Sequence, residues 1–405
     1  MFRKLTSTVI SLLAALFVLA GCAAPVTPPP SGYDVLRFNQ NGTFKVMSIS
    51  DIQDGANVSP ETMTLITLAL DAEKPDLVVL DGDNIFDWAP SLLFSRANVE
   101  HNIATFLKPI TDRGIAFAVV FGNHDATMPL SEAAQWDYYQ TFPGAVGVAN
   151  PIGGRTGNYN IPVQNTEGRT VLNLWFMHSG GWTLSNRADI LPEQLAWYRD
   201  TSDALTSANG GVVVPSVWFQ HIPVPEVYDL LTPVDEGTPG AVKGKNAYAG
   251  QYYVANPDAV IDGVLDEGPR CLDNGTVEFD AWLSQGDVMG AVFGHNHNNT
   301  IHGKVQGIDL MYDGGVTFYS YGNGDLHGVR VIQFDQADVR QYKTHMVYWK
   351  DLTDQPIPDV AQFDGTFVHG AQNLYIAIGV AIVAGFIALG VLIVVKVRRR
   401  HARVM

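Results

Sequence analysis

Short apolar runs that end in polar residues of metal-ligating types constrain the fold of this chain more than any other feature. A continuous run such as residues 77–80 is typical of a strand buried on both faces of a sheet. Helical segments separate the early runs, and one of them begins with Ser59 as N-cap and Pro60 in the first turn. Later strands follow one another more closely. This order predicts an α/β sandwich of two mixed β-sheets with flanking helices.

The predicted body extends over residues 36–350, because no linker or internal repeat divides that stretch. Helices are expected over residues 62–72 and about 95–112. The predicted strands cover residues 44–50, 77–80, 115–121, 171–177, 212–219, 288–293, 308–311, 316–320 and 329–334.

Five of these strands are followed at once by carboxylate, amide or imidazole side chains. In open α/β sheets the carboxyl ends of the strands form the ligand crevice. Carboxylate oxygen with imidazole nitrogen is a ligand set for Zn²⁺, Mn²⁺ or Fe. Each motif alone is more typical of a turn or a structural histidine, but their joint occurrence predicts a metal site. The residues are Asp51, Gln53, Asp83, Asn123, His124, Asp125, His221, His295 and His297.

At these residues the chain resembles the calcineurin-like metallophosphoesterase superfamily. That family's motifs run Asp-x-His, Gly-Asp, Gly-Asn-His-Asp/Glu, a lone His and Gly-His-x-His. The likeness is strongest to the purple acid phosphatase-like branch, through segments such as Gly122-Asn123-His124-Asp125 and His221-Ile222-Pro223.

The resemblance implies two divalent metal ions, of Mn, Zn, Fe or Mg, bridged by Asp83. It also implies that His124 lies over the substrate phosphate as a general acid, and that Asp125 holds the His124 ring and raises its pKa. The remaining ligands divide into Asp51, Gln53 and His297 for the first ion, and Asn123, His221 and His295 for the second.

Two residues depart from the family pattern. Gln53 stands where the family has a histidine, so the first ion would gain only a weaker, neutral oxygen ligand. Phe86 stands where the purple enzymes have a tyrosinate ligand, so a purple Fe(III) centre is not expected.

The expected activity is hydrolysis of a phosphate ester, with monoesters favoured, by attack of a water that the two ions activate. One alternative is a phosphodiesterase or nucleotide hydrolase with the same dimetal site. Another is a binding protein on this scaffold that has lost catalysis, for which Gln53 is the motif-level argument.

The N-terminus predicts export and lipid attachment. Arg3 and Lys4 precede an apolar stretch, and Leu19-Ala20-Gly21-Cys22 resembles the bacterial lipobox. Residues 1–21 are therefore expected to be a lipoprotein-type signal peptide, Cys22 the lipidated residue, and 22–35 a proline-rich tether. An ordinary signal peptide or an uncleaved anchor is the alternative.

The C-terminus predicts a membrane-spanning helix over residues 374–395, which are uncharged and almost wholly apolar. The basic tail 396–405 follows and is expected in the cytoplasm. Residues 351–373 then form a stalk. A buried core helix is the alternative for 374–395. Both ends thus predict attachment to the cell membrane with the catalytic body outside the cytoplasm.

The charge distribution argues against a nucleic-acid partner. The formal net charge is −16, and seven of the 25 basic residues lie in segments 1–21 and 396–405. The 18 others face 41 acidic residues, so residues 22–395 carry −23. The expected partner is a phosphorylated small molecule, which the metal ions would attract.

Two loops have open interpretations. Residues 178–182 either reach the site, where Trp182 would stack on a leaving group, or form a glycine turn with a packing tryptophan. Residues 228–268 are either a lid or a surface excursion.

Overall fold

A computed structural model of the protein describes residues 36–54, 57–85, 95–183, 186–273 and 277–357, without the side chains of residues 182, 183 and 186. The predicted signal peptide, the tether with Cys22, the helix over 374–395 and the tail lie outside these ranges, as does Phe86. Within the described ranges, no helix has the length and apolar content to cross a bilayer.

The described chain contains eighteen strands and six α-helices. The strands are β1 (Leu36–Arg37), β2 (Thr43–Ile49), β3 (Leu77–Asp81), β4 (Ala116–Val120), β5 (Tyr159–Gln164), β6 (Thr170–Phe176), β7 (Gly180–Thr183), β8 (Asn186–Ala188), β9 (Ser216–Phe219), β10 (Leu231–Val234), β11 (Val242–Lys243), β12 (Tyr252–Ala255), β13 (Val260–Asp262), β14 (Val288–Phe293), β15 (His302–Val305), β16 (Ile308–Tyr312), β17 (Gly328–Asp335) and β18 (Lys343–Tyr348). The helices are α1 (Pro60–Glu73), α2 (Arg96–Thr111), α3 (Glu132–Tyr139), α4 (Pro192–Ala208), α5 (Val277–Gln285) and α6 (Trp349–Leu352).

Two mixed sheets form the body, which confirms the predicted α/β class. The smaller has the order β18-β17-β2-β3-β4, with β2, β3 and β4 parallel. The larger has the order β1-β5-β6-β9-β14-β16-β15-β13, and β6, β9, β14 and β16 are parallel. Two further small sheets, β10-β12-β11 and β7-β8, are separate from these two.

Strand β6 shows how the larger sheet is covered on both faces. Successive side chains of a strand point to opposite faces. Leu174 and Phe176 therefore belong to the core shared with the five-stranded sheet. Trp175 belongs to a second core that includes Tyr198 of α4 and Trp282 of α5. A strand buried on both faces reads as a continuous apolar run, which is why the sequence revealed these strands.

Helix α1 begins as the sequence predicts. The Ser59 hydroxyl accepts a hydrogen bond from the backbone N–H of Thr62 at 3.2 Å, and Pro60 occupies the first turn. The helix ends at Lys74, whose N–H bonds the carbonyl of Leu70. Its buried face includes Leu65 and Ile66, and each such side chain stabilises the fold by about 1.5–3 kcal/mol.

The strand predicted over residues 316–320 is wrong. Val316 and Thr317 donate single bonds to the carbonyls of Ser50 and Asp51. The Thr317 hydroxyl then accepts the N–H groups of Tyr319 and Ser320, which bends the chain. The segment is apolar because Val316 and Phe318 are buried.

The strand predicted over residues 212–219 is shorter than expected. It is confined to Ser216–Phe219, because Pro215 has no N–H to donate and Val212 is exposed.

At the C-terminal end of the body, residues 351–357 belong to the predicted stalk. Their described part contacts the body, since Ile357 packs on the main core and the Trp349 indole donates to the carbonyl of Gln355.

Candidate metal centre

The loops that follow β2, β3, β4, β9 and β14 meet at one place between the two large sheets. The His295 N–H donates to Oδ2 of Asp51 at 2.9 Å, and the His124 N–H donates to Oδ1 of Asp83 at 2.8 Å. These bonds join chain segments that are far apart in sequence. The structure therefore brings together all of the strand-end segments that the sequence singled out.

The second predicted metal position is preformed. One ligand atom each from Asp83, His221 and His295 lies within 4.8 Å of the others. His221 Nε2 is 3.1 Å from Oδ2 of Asp83. The side-chain oxygen of Asn123 is buried and has no hydrogen-bond partner. An unpaired buried acceptor is costly, and Asn123 directly precedes His124, whose N–H bonds Asp83, so this oxygen is suited to a divalent cation.

The first predicted position contains Asp51, His297 and Gln53 beside Asp83. His297 Nε2 lies 3.1 Å from Oδ1 of Asp51. Gln53 is buried, and its Nε2 lies 2.7 Å from Oδ2 of Asp83 and 3.4 Å from Oδ1 of Asp51. Gln53 is thus at the site and donates hydrogen bonds to the two carboxylates. Coordination of a metal by its side-chain oxygen stays a prediction.

Backbone carbonyls orient two of the imidazoles. His221 Nδ1 lies 2.9 Å from the carbonyl oxygen of Asp81, and His297 Nδ1 lies 2.8 Å from that of Tyr321. Because a carbonyl only accepts, each Nδ1 carries a proton and each Nε2 is directed at the carboxylates. The Tyr321 ring also stacks on His297, with centroids 4.1 Å apart and planes 5° apart.

The carboxylates and imidazoles shift each other's protonation. Burial opposes ionisation of Asp83, but His221 and His124 outweigh it and hold its pKa below the ordinary value. Burial also opposes a charge on His221, yet Asp83 and Asp51 raise the pKa of that ring to about 10. In the metal-free chain a proton on His221 therefore supplies positive charge between the carboxylates. Metal binding must displace that proton.

The other two imidazoles, those of His295 and His297, have pKa values that are shifted in opposite directions. Burial, followed by the charge of His221, lowers the pKa of His295 well below its ordinary value. Burial of His297 is outweighed by the charge of Asp51, and its pKa is raised. His295 is therefore neutral and ready to bind a metal ion, as imidazole ligands must be.

Backbone strain is concentrated at the site. Four residues here have φ in the left-handed region although none is glycine. Such conformations cost about 1–3 kcal/mol each and persist where the surroundings enforce them. They are Asp51 (52°), Gln53 (35°), Asp83 (47°) and His295 (69°).

Gly122 is required by the approach of two loops. A Cβ atom there would lie 2.1 Å from Oδ1 of Asp83 and 2.3 Å from its backbone nitrogen. Any side chain would push Asp83 out of the site. The glycine that precedes Asn123 in the motif therefore serves packing at the metal centre.

His124 lies at the open side of the site. Its side chain is 35% exposed, and Nε2 is 3.8 Å from Oδ2 of Asp83. Its partial burial lowers its pKa, against the charge of Asp83. The raised pKa expected for this ring is thus wrong for the metal-free chain, since desolvation outweighs the neighbouring carboxylates.

Asp125 is fully buried and accepts hydrogen bonds from backbone N–H groups. The donors are Gly122 at 2.8 Å, Asn84 at 3.1 Å and Ile85 at 3.2 Å. The carboxylate thereby fixes the loops that carry Asp83 and Asn123. The expected link from Asp125 to the His124 ring stays a prediction.

The loop after β6 reaches the site from one side. The Ser179 hydroxyl accepts the N–H of Ile222, next to His221, at 3.0 Å. The His178 ring contacts Glu132 at 2.8 Å and serves that loop rather than the metal centre. The Trp182 side chain lies outside the described part of the chain.

Sequence reasoning missed the carbonyl groups of Asp81 and Tyr321 that orient His221 and His297. Main-chain acceptors leave no residue-type signature, so only the position of Asp81 within the Asp-Gly-Asp segment pointed toward the site.

The segment 228–268 contains the sheet β10-β12-β11. Its C-terminal end contacts the loop that carries His297, where Asn298 N–H donates to Glu267 Oε1 at 3.2 Å.

Known proteins with similar sequences are named as purple acid phosphatases. Probable inactive purple acid phosphatase 14 of Arabidopsis thaliana is 25% identical over 371 residues, covering 82% of this chain and 84% of that protein. Probable inactive purple acid phosphatase 29 of the same plant is 26% identical over 376 residues, covering 82% and 88%. Among solved structures, a dimetal phosphatase from Danio rerio aligns with a TM-score of 0.43 and 13% identity, over 76% of this chain and 99% of that one.

The family model for calcineurin-like phosphoesterases matches residues 44–299, which is more than half of the chain and includes every residue predicted for the metal site. The chain therefore belongs to the calcineurin-like phosphoesterase family, on its purple acid phosphatase-like side.

Proposed function

We propose that this chain is a membrane-anchored, extracytoplasmic dimetal phosphoesterase that hydrolyses phosphate esters, with monoesters preferred. The observation that supports the proposal most is the cluster of Asp83, His221 and His295, whose ligand atoms lie within 4.8 Å of one another. The buried side-chain oxygen of Asn123 has no hydrogen-bond partner, so it is an acceptor that a cation could satisfy. Residues 44–299 match a family of phosphoesterases.

The side chains of the site have different roles in the proposed hydrolysis. Two divalent ions, when bound, supply Lewis acidity and an activated water for in-line attack on phosphorus. Asp83 offers two carboxylate oxygens, so it can hold both ions. His124, partly exposed beside Asp83, donates a proton to the leaving oxygen. Asp125 fixes the backbone that positions these groups.

The test uses the full chain in detergent, loaded with Mn²⁺ or Zn²⁺. Turnover of p-nitrophenyl phosphate is compared with turnover of bis(p-nitrophenyl) phosphate, while elemental analysis counts the bound ions. The proposal predicts about two ions per chain and faster hydrolysis of the monoester. Protein that binds two ions and turns over neither ester would exclude the enzymatic function. Faster hydrolysis of the diester, or of nucleotides, would favour the phosphodiesterase alternative.

A binding protein on the same scaffold is a second candidate. The side-chain amide of Gln53 donates hydrogen bonds to Asp83 and Asp51. A histidine at this position could instead bind a metal ion next to these carboxylates. Two similar proteins carry the word inactive in their names. This candidate predicts fewer than two ions per chain and phosphate binding without hydrolysis.

The membrane placement rests on the ends of the sequence. Cys22 follows a lipobox-like segment, and residues 374–395 form an apolar run followed by basic residues. The test labels cells with radioactive palmitate and digests intact spheroplasts with protease. Loss of label in Cys22→Ser and digestion of the body from outside are expected. A protected body would contradict the placement.

A further inference from the structure

The strand pair β7–β8 packs against the segment that carries Asn123. A Cβ atom at Gly181 would lie 3.1 Å from Cβ and 3.2 Å from Cα of Asn123, which is closer than most Cβ contacts. The backbone of β7 therefore leaves little room for a side chain at this point. Asn123 is itself buried. The position of β7 thus limits where the Asn123 side chain, a predicted ligand of the second ion, can lie.

Arg155 holds the partner strand β8 and the residue that follows it. Its Nη2 donates to the carbonyl of Arg187 at 2.9 Å and to Oδ1 of Asp189 at 2.5 Å. Its Nη1 donates to the carbonyl of Asp189 and, at 3.3 Å, to Oε1 of Gln194. The Arg155 side chain is 7% exposed, and a buried charge is costly unless it is paired and hydrogen-bonded. These bonds therefore fix β8 to the body.

Arg155 also reaches the start of β7. A Cβ atom at Gly180 would lie 2.9 Å from Nη2 of Arg155, so the guanidinium packs directly on this strand. Gln194 donates to the carbonyl of His178 at 2.9 Å and to Oδ1 of Asn158 at 2.6 Å. The Asn158 amide donates to the carbonyl of Arg155 at 2.8 Å. One buried network thus holds both strands, and Arg155 is its cationic member.

We propose that Arg155 is a positioning residue for the second metal ion, because it fixes the strand pair that confines the Asn123 side chain. The guanidinium contacts the strands, so Gly180 and Gly181 transmit its effect to Asn123. Without the guanidinium, β7 can shift and the Asn123 amide loses its fixed orientation. This inference rests on the proposed dimetal phosphoesterase function and adds a supporting residue that lies outside the metal-ligand motifs.

The experiment measures the Mn²⁺ affinity of the chelator-treated full chain by titration calorimetry. Arg155→Ala is expected to weaken binding roughly tenfold, at the lower end of the range for contacts that support metal ligands. Arg155→Lys keeps the charge without the planar fork, so its affinity should lie between. Gly181→Ala tests the contact itself. The φ of Gly181 lies outside the left-handed region, so the added methyl group acts on Asn123 and should weaken Mn²⁺ binding although Arg155 is intact.

A double-mutant cycle with Asn123→Ala distinguishes positioning from a general loss of structure. If Arg155 acts through Asn123, Arg155→Ala should change the Mn²⁺ affinity of the Asn123→Ala chain by less than about twofold. A further loss of about tenfold in that chain would overturn the assignment, because distant and independent effects add. Urea titration checks that each variant is folded. If Arg155→Ala does not fold, Arg155→Lys takes its place in the cycle.

Arg169→Ala is the matched control. Arg169 is 72% exposed and forms an ion pair with Glu167 between β5 and β6, so its loss should leave the Mn²⁺ affinity unchanged.

The positioning role and the phosphoesterase function can fail separately, because metal affinity is measured without substrate. Unchanged affinity in folded Arg155→Ala, or in Gly181→Ala, would overturn the positioning role even in a chain that hydrolyses phosphate esters. A chain whose Mn²⁺ affinity depends on Arg155, but which hydrolyses neither test ester, would support the positioning role and refute the phosphoesterase function. Absence of Mn²⁺ binding by the unchanged chain would overturn both.

Discussion

Gln53 donates its side-chain amide to Oδ2 of Asp83 at 2.7 Å. Asp83 is the carboxylate expected to bridge two ions, and the same Oδ2 lies 3.1 Å from Nε2 of His221, so the amide donor occupies an oxygen that a metal ion would need. The bond stabilises the carboxylate without contributing a metal ligand. The occupancy of the first position therefore depends on whether the Gln53 amide can turn its oxygen inward.

Replacing Gln53 by histidine should tighten binding at the first metal position. An imidazole would add a stronger ligand to Asp51, Asp83 and His297 and would remove the competing amide donor. We expect roughly a tenfold gain or more in Mn²⁺ affinity, measured by calorimetry on chelator-treated protein. Gln53→Glu is the control of equal size, which adds an anionic oxygen ligand. Equal first-site affinity in all three proteins would mean that residue 53 does not face the ion.

Substitution of His295 should remove metal, whereas substitution of His124 should lower the rate of hydrolysis and leave the metal in place. His295 lies in the cluster with Asp83 and His221, so His295→Ala should lose metal from the second position. His124 is partly exposed and 3.8 Å from Asp83. His124→Ala should keep both ions and lose about 10²- to 10⁴-fold in kcat. Elemental analysis and kinetics are compared on the same samples. Equal loss of metal in the two variants would show that the roles are misassigned.

Gly122→Ala should disrupt the centre. The added Cβ would lie 2.1 Å from Oδ1 of Asp83, so Asp83 or the whole loop must move. We expect loss of metal and a fall of roughly 3 kcal/mol or more in the free energy of unfolding, measured by urea titration. Gly114→Ala is the control. It has open space around the new Cβ but a φ of +64°, so it should cost about 1 kcal/mol and keep metal.

The sequence predicted the residues of the metal site more accurately than the secondary structure and hydrogen-bond acceptors around them. Asp83, Asn123 and His221 follow buried strands, and parallel strands carry such residues to one edge of a sheet. The strand expected over residues 316–320 failed, because buried apolar side chains occur in bent segments as well as in strands. The acceptors of the His221 and His297 rings were not predictable, since they are main-chain carbonyl groups supplied by tertiary packing.

The Tyr321 ring should support the first metal position through its stack on His297. Tyr321→Ala removes the ring, leaves the carbonyl that bonds Nδ1, and lets the imidazole tilt. Loss of such supporting contacts typically costs 10- to 100-fold in metal affinity. Tyr321→Phe keeps the stack and loses only the 3.3 Å bond to Glu267, so it should bind metal like the unchanged chain. A similar loss in both variants would assign the effect to the hydroxyl group.

A buried glutamate, Glu226, lies in the sequence between Val224 and Val227 of the second core. Glu226 is 6% exposed, and neither of its carboxylate oxygens has a hydrogen-bond partner. Burial chiefly raises its pKa to about 7, and the charges of Asp229 and Asp280 add to the effect. Burial also raises the pKa of Glu278, and the charge of Glu226 adds to it. Ionisation of Glu226 is therefore unfavourable in the folded protein.

Glu226→Gln should stabilise the protein at high pH and not at low pH. The ordinary pKa is 4.5 and the folded value is about 7, so between them the folded state holds a proton that the unfolded state has lost. Stability from this group therefore falls as pH rises through that window, by roughly 3 kcal/mol at most. Glutamine stays neutral and avoids the loss. Urea titrations of both proteins at pH 5 and pH 8 measure the difference, which should be clearly larger at pH 8. Glu167→Gln, at an exposed position, should show no such dependence, and an equal difference at both pH values would refute the raised pKa.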